Sequence, residues 1–188
     1  IILMSVPIII ITPDILNLWL TVYPDYAVIF IRITLAIAII QSISNPYITA
    51  ICATGDIRAY QLVVGGITLA NIPVCYYLLY LGYNPVIVYF SSLVMYIITF
   101  IIRLLFVRSK VKINIRILGI TMIVRLLPIL MLSFGLSYYI SQYINTTTWL
   151  GLIAFVIISC LLTAIMIYLI GIRRDEKIYI HNFIKKRF

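Results

Sequence analysis

Charge is scarce in this chain of 188 residues: charged residues make up 10% of it and hydrophobic ones 64%. That leaves too little polar surface to clothe a soluble globule of this length. Histidine is limited to His181, and cysteine to Cys52, Cys75 and Cys160 with no CxxC spacing. A metal site of imidazole and thiolate ligands has almost nothing to be built from, no disulfide is implied, and the cysteines read as packing residues among apolar neighbours. Paired carboxylates, a Ser-His-Asp set and a glycine-rich phosphate loop are all missing, so no catalytic residue, metal or cofactor is expected. Gly65-Gly66 signals only close helix approach. Asn145-Thr146-Thr147 matches a glycosylation acceptor in form but lies too near the bilayer to count.

What is present is a series of apolar runs of about 20 residues or more, each enough to cross ~30 Å of hydrocarbon as a helix. Spans are expected at 1–19, 26–53, 60–81, 85–107, 117–140 and 148–170. The alternating ten-residue pattern of a transmembrane barrel is missing, so helices remain as the way to satisfy the backbone in lipid. The expected fold is all-α, a polytopic transmembrane bundle of six spans. Residues 1–170 form the lobe and 171–188 a basic cytoplasmic tail. The chain opens on Ile1 inside an apolar run, without the charged n-region of a signal peptide, which leads us to expect further chain before it.

Lysine and arginine set the orientation. The turns near Thr21–Asp25, Gly82–Asn84 and Ser141–Thr147 hold none. Arg58 lies in the turn at 55–59, Arg108, Lys110, Lys112 and Arg116 in the next, and a further basic cluster follows Gly171. These two classes alternate, which puts both ends of the chain in the cytoplasm and accounts for the net charge of +9 without nucleic acid. In the tail, Ile180, Phe183, Ile184 and Phe188 recur at helical spacing beside Lys177, Lys185, Lys186 and Arg187. That pattern suits either a helix on anionic membrane lipid or a frayed basic end.

Polar residues inside the runs carry the functional signal. Thr34, Gln41, Ser42, Asn45 and Thr49 share one side of a helix, with Pro46 removing a backbone donor beside Asn45. The stripe reads either as glue between helices or as the lining of a wet path. Pro46, Pro73 beside Asn71, and Pro128 are candidate hinges or, equally, static kinks. Arg32 lies roughly 9 Å deep, within snorkelling reach of the outer interface, and points nearly opposite Gln41. Arg103, near the inner edge, is expected to snorkel to the cytoplasmic side. Arg125 lies roughly 12 Å from the cytoplasmic end and within a turn of Pro128, where it would face lipid or a cavity. Asp14 is the only carboxylate at possible membrane depth. Arginines without buried acids favour an anionic cargo, because guanidinium forks suit phosphate oxygens in a low dielectric.

DILNLWLTVYPDYAVIFIRI from Asp14, NPYITAICATGDIRAYQLVVGG from Asn45, NIPVCYYLLYLGYNP from Asn71 and IGIRRDEKIYI from Ile170 resemble the C-terminal half of Wzx-type polysaccharide flippases. These belong to the multidrug/oligosaccharidyl-lipid/polysaccharide exporter superfamily, and the chain looks most like members from Bacteroides-like bacteria. The shared motifs are Trp19-Leu20 before an external turn, the Ala53-Thr54-Gly55 turn with Tyr60-Gln61, and Gly171 with Glu176. The resemblance implies the second of two pseudo-symmetric lobes in the bacterial inner membrane. It implies alternating-access flipping of undecaprenyl-diphosphate-linked oligosaccharide to the periplasmic leaflet for O-antigen, capsule or exopolysaccharide, beside polysaccharide polymerase machinery. On that scheme Arg32 and Arg125 are diphosphate contacts, and Gln41, Asn45 and Asn71 sugar contacts. The partners implied are the lipid-linked oligosaccharide, membrane lipid and the N-terminal lobe. A cation-coupled drug antiporter of the same superfamily stays open, with Asp14 as its acid. A membrane enzyme is disfavoured by the short, nearly uncharged external turns.

Overall fold

The computed structural model describes residues 1–20, 22–111 and 115–171, with side chains throughout except at 111–123 and 125. Among these residues the chain is all-α, without a strand: α1 (Ile2–Trp19), α2 (Ala27–Cys52), α3 (Arg58–Tyr80), α4 (Val86–Val111), α5 (Ile115–Ser141) and α6 (Trp149–Met166). Five helices, Ile2–Trp19, Ala27–Cys52, Arg58–Tyr80, Val86–Lys110 and Trp149–Gly171, are long and apolar enough to cross a membrane, as in a multi-pass membrane protein. The span expected at 117–140 lies in α5, whose described apolar stretch, Leu126–Ser141, is shorter. The tail from 172 onward lies outside the described residues.

Chain chemistry explains where the elements begin and end. Gly82 closes α3 at φ +82°, and the amides of Gly82 and Tyr83 return to the carbonyls of Leu79 and Leu78, which satisfies the last turn with a left-handed residue that only glycine adopts cheaply. The Thr148 hydroxyl accepts from the Gly151 amide at 3.3 Å and caps α6. Helix α4 runs to Val111 rather than stopping at the expected Val107, and Arg108 and Lys110 in its last turn suit the negative end of the helix dipole. Pro46, Pro73 and Pro128 each lie inside a continuous helix.

The described residues divide into two compact units, the first holding those of 15–119 and the second those of 2–14 and 120–171. In the first unit α4 packs against both α2 and α3. Phe30 of α2 stacks on Tyr89 of α4, with centroids 4.4 Å apart, and Tyr47 meets Phe100 edge-on at 6.0 Å. Tyr60 of α3 meets Phe106 of α4 edge-on at 5.7 Å. The order of these contacts makes α2 and α4 parallel and α3 antiparallel to both. The two classes of turn therefore fall at opposite ends of this unit. At one end Lys110 pairs with Asp56. At the other the Tyr26 hydroxyl donates to Asn84 Oδ1 at 3.0 Å. On α2 the buried face is Ile33, Ile37, Ser44, Tyr47 and Ile51, a helical period.

In the second unit the Cys160 thiol of α6 donates to the Leu3 carbonyl of α1 at 3.4 Å, while Thr146, in the α5–α6 connection, donates to Asp14 at 2.5 Å. Helices α1 and α6 are thus antiparallel. Small hydroxyl residues, Ser5 and Thr12 on α1, Ser133 and Ser137 on α5, Ser159 and Thr163 on α6, share the buried positions with Val6, Ile11, Ile129 and Phe155. In the connection, the Tyr143 phenol is raised by its hydrogen bond to Tyr139 and, second, by desolvation.

The glycines separate by environment. A Cβ on Gly151 would overlap the Asn145 carbonyl oxygen, whereas one on Gly65 or Gly66 would meet nothing within 4 Å, so the close helix approach expected at Gly65-Gly66 is not what the fold uses. Gly151→Ala is expected to cost about 1–3 kcal/mol, roughly 3–10 °C in thermal midpoint measured in detergent. Gly65→Ala is expected to leave the midpoint unchanged or raise it slightly through helix propensity.

Candidate functional site

The polar residues of the first unit fall into two groups, one satisfied between helices and one uncovered. The satisfied group starts at Asn71 of α3. Its amide nitrogen donates to Ser92 Oγ at 3.0 Å, while its oxygen accepts from Ser91 Oγ at 2.7 Å and from the Cys75 thiol at 3.5 Å. One residue thereby clamps α3 to two successive serines of α4. An asparagine at membrane depth needs such partners, because leaving its amide bare in lipid costs several kcal/mol.

Further along α4, toward its basic end, stands Arg103. Its Nε donates to the Tyr60 hydroxyl at 3.0 Å and its Nη1 to Ser44 Oγ at 2.7 Å. Ser44 is fully buried on the core face of α2, and Tyr60 is held against Phe106. Arg103, expected to snorkel toward the basic end of the unit, is held by these bonds to acceptors on two neighbouring helices, one of them, Tyr60, in the first turn of α3. Both acceptors are neutral hydroxyls. Among the described residues the ion pair is that of Lys110 with Asp56, so the charge on Arg103 is oriented but not neutralised.

Above Arg103 a cleft of about 120 Å³ opens along the α3–α4 seam, lined by Thr68, Asn71, Ser92, Tyr96 and Thr99 as well as the arginine. Thr68 and Thr99 donate to the carbonyls of Val64 and Met95, which spends their protons and leaves oxygen lone pairs.

The uncovered group lies on α2. Thr34, Asn45 and Thr49 are exposed, and Gln41 and Ser42 are half-buried at the margin of the stripe. Thr34 and Thr49 donate to the carbonyls of Phe30 and Asn45. Arg32 is exposed on a different side of the same helix. The stripe and Asn71 are therefore not one site: Asn71 faces α4, and the α2 residues face away from the buried side. The side chain of Arg125 lies outside the described residues. Asp14 is half-buried and accepts from Thr146, which places it level with the α5–α6 connection.

Among the described residues no group of three or more His, Cys, Asp or Glu side chains comes together to hold a metal. No family model, curated protein or solved structure matches this chain.

Sequence reasoning named Asn71 and the α2 stripe but missed Ser44 and Tyr60 as partners of Arg103. The signal was present: Ser44 falls on the period of Ile33, Ile37, Tyr47 and Ile51, a polar residue on an otherwise apolar face. Asn71→Leu is expected to cost about 0.6–1.7 kcal/mol in thermal unfolding of the purified protein, the range for interhelical hydrogen bonds in membranes. Ser44→Ala and Tyr60→Phe are each expected to cost about 1 kcal/mol. Their combination is expected to cost less than the sum, because a guanidinium that has lost one tie can turn away from the other.

Proposed function

We propose that this chain is the second lobe of a bacterial inner-membrane transporter of the Wzx type, which flips undecaprenyl-diphosphate-linked oligosaccharide from the cytoplasmic to the periplasmic leaflet. The observation that carries the reading is the uncovered polar face of α2. Asn45 lies roughly 10 Å inside the end of a helix of 26 residues, and its exposed side chain makes no hydrogen bond among the described residues. A primary amide facing hydrocarbon there would cost several kcal/mol. The face suits water instead, as the wall of a translocation path closed on its other side by a first lobe.

Charge favours an anionic cargo. The described spans hold arginines at depth, while Asp14 is tied to a connection through Thr146. In this scheme Arg32 and Arg125 contact the diphosphate, Gln41 and Asn45 the sugars, and Asn71 serves the cargo only through the seam that it clamps. Six spans with both ends cytoplasmic accord with the segregation of basic and uncharged turns to opposite ends of the first unit. The prolines of α2, α3 and α5 supply the bending that alternating access requires.

The test is deletion of the complete gene followed by rescue, reading surface polysaccharide and accumulated lipid-linked intermediates at matched protein levels. Asn45→Leu and the Arg32→Ala, Arg125→Ala double variant are expected to lower polysaccharide severalfold and raise the intermediate, with Asp14→Asn close to wild type. Full rescue by both impaired variants would overturn the flippase reading. Loss with Asp14→Asn alone would favour the cation-coupled antiporter.

A further inference from the structure

The α3–α4 seam carries two cavities in series, and their chemistry differs. The first is the polar cleft above Arg103. The second is an apolar groove of about 290 Å³, lined by Val74 and Leu78 of α3 and by Ile87, Phe90 and Val94 of α4, with Met95 lining both. Phe90 and Val94 are 53% and 48% exposed, so the groove opens outward from the unit rather than into its core. Counting along α4, the start of the groove at Val94 lies roughly 13 Å from Arg103, and Phe90 roughly 20 Å.

We propose that this seam is a binding site for a resident anionic phospholipid, its phosphate on Arg103 and one acyl chain in the groove. The assignment does not depend on the transport reading. Arg103 uses Nε and one Nη1 hydrogen on Tyr60 and Ser44 and keeps the remaining guanidinium N–H groups for a ligand. Two hydroxyl partners fix its orientation without cancelling its charge, so the group is ready for phosphate oxygens. The cleft is smaller than the roughly 300 Å³ at which pockets begin to enclose drug-sized ligands, and one phosphate group fits. Tyr96, between the arginine and the groove, offers a phenol to the glycerol-ester region. A leaflet holds about 15 Å of hydrocarbon, so a chain that starts at Arg103 reaches the groove with its far end, at Met95 and Val94. A free anion would make no use of the groove, and an uncharged lipid would make no use of the arginine.

The test is native mass spectrometry of the full protein released from nanodiscs of equal phosphatidylcholine and phosphatidylglycerol. Wild type is expected to retain phosphatidylglycerol in severalfold excess over phosphatidylcholine. Arg103→Gln is expected to reduce that excess at least fivefold, and Val94→Trp, which fills the groove while leaving the arginine in place, to do the same. Arg108→Gln, at the basic end of the same helix, is expected to retain it. Should Arg103→Gln fail to fold, Val94→Trp decides. The proposal is overturned if Val94→Trp keeps the wild-type excess, if Arg108→Gln loses as much as Arg103→Gln, or if millimolar inorganic phosphate displaces the bound lipid.

Discussion

One guanidinium joins three membrane-length helices. Arg103 leaves α4 and reaches Ser44 on α2 and Tyr60 on α3, so the two helices that flank α4 are tied to it at one level by a single charged donor. The aromatic pairs above and below extend that registration: Phe30 with Tyr89, Tyr47 with Phe100, Tyr60 with Phe106. Each such pair contributes about 0.5–1.5 kcal/mol, and each interhelical hydrogen bond about the same. No single contact dominates on energy. What Arg103 supplies is direction, because a donor fork with fixed geometry accepts only one relative rotation of α2, α3 and α4, whereas apolar faces in lipid accept many.

That constraint sorts the remaining polar residues. Those on the inner faces have found partners on a neighbouring helix or on their own backbone: Asn71 with Ser91 and Ser92, Thr99 with the Met95 carbonyl. Those on the outer face of α2 lie where no helix of the unit covers them. The stripe of Thr34, Asn45 and Thr49 is therefore not glue between α2 and the other helices of this unit. Ser44 is the polar residue of α2 that faces inward, and it lies off the stripe.

The fold was legible in the sequence to the extent that apolar length and turn chemistry determine it. Helix ends at Trp19, Cys52 and Tyr80 fall within a residue or so of where hydropathy stops, because the cost of leaving lipid and the loss of intrahelical partners occur at the same place. Side-chain partners were less legible. Depth along a helix predicts whether an arginine can reach water. It says nothing of acceptors on adjacent helices, which depend on rotation. Asn71 shows the same gap: its residue type marks a polar position, and only the neighbouring serines show where the amide points. Gly65-Gly66 and Gly151 invert the usual weighting, since the doublet stands in open space and the single glycine lies against a backbone carbonyl.

The two polar groups of the first unit also differ in what they can do. A residue satisfied between helices, such as Asn71, would have to break protein hydrogen bonds before it could bind cargo, and each break costs about as much as the new bond returns. The exposed side chain of Asn45 has no such debt to protein. On the proposed transport reading, contacts must form and release repeatedly, which suits the uncovered stripe better than Asn71. The Arg103 seam, whose guanidinium is already oriented by two hydroxyls, is suited to something that stays. The proposed lipid site on α3–α4 and the uncovered stripe of α2 are separate surfaces of the same three helices, and Ser44 faces inward to accept from Arg103 Nη1.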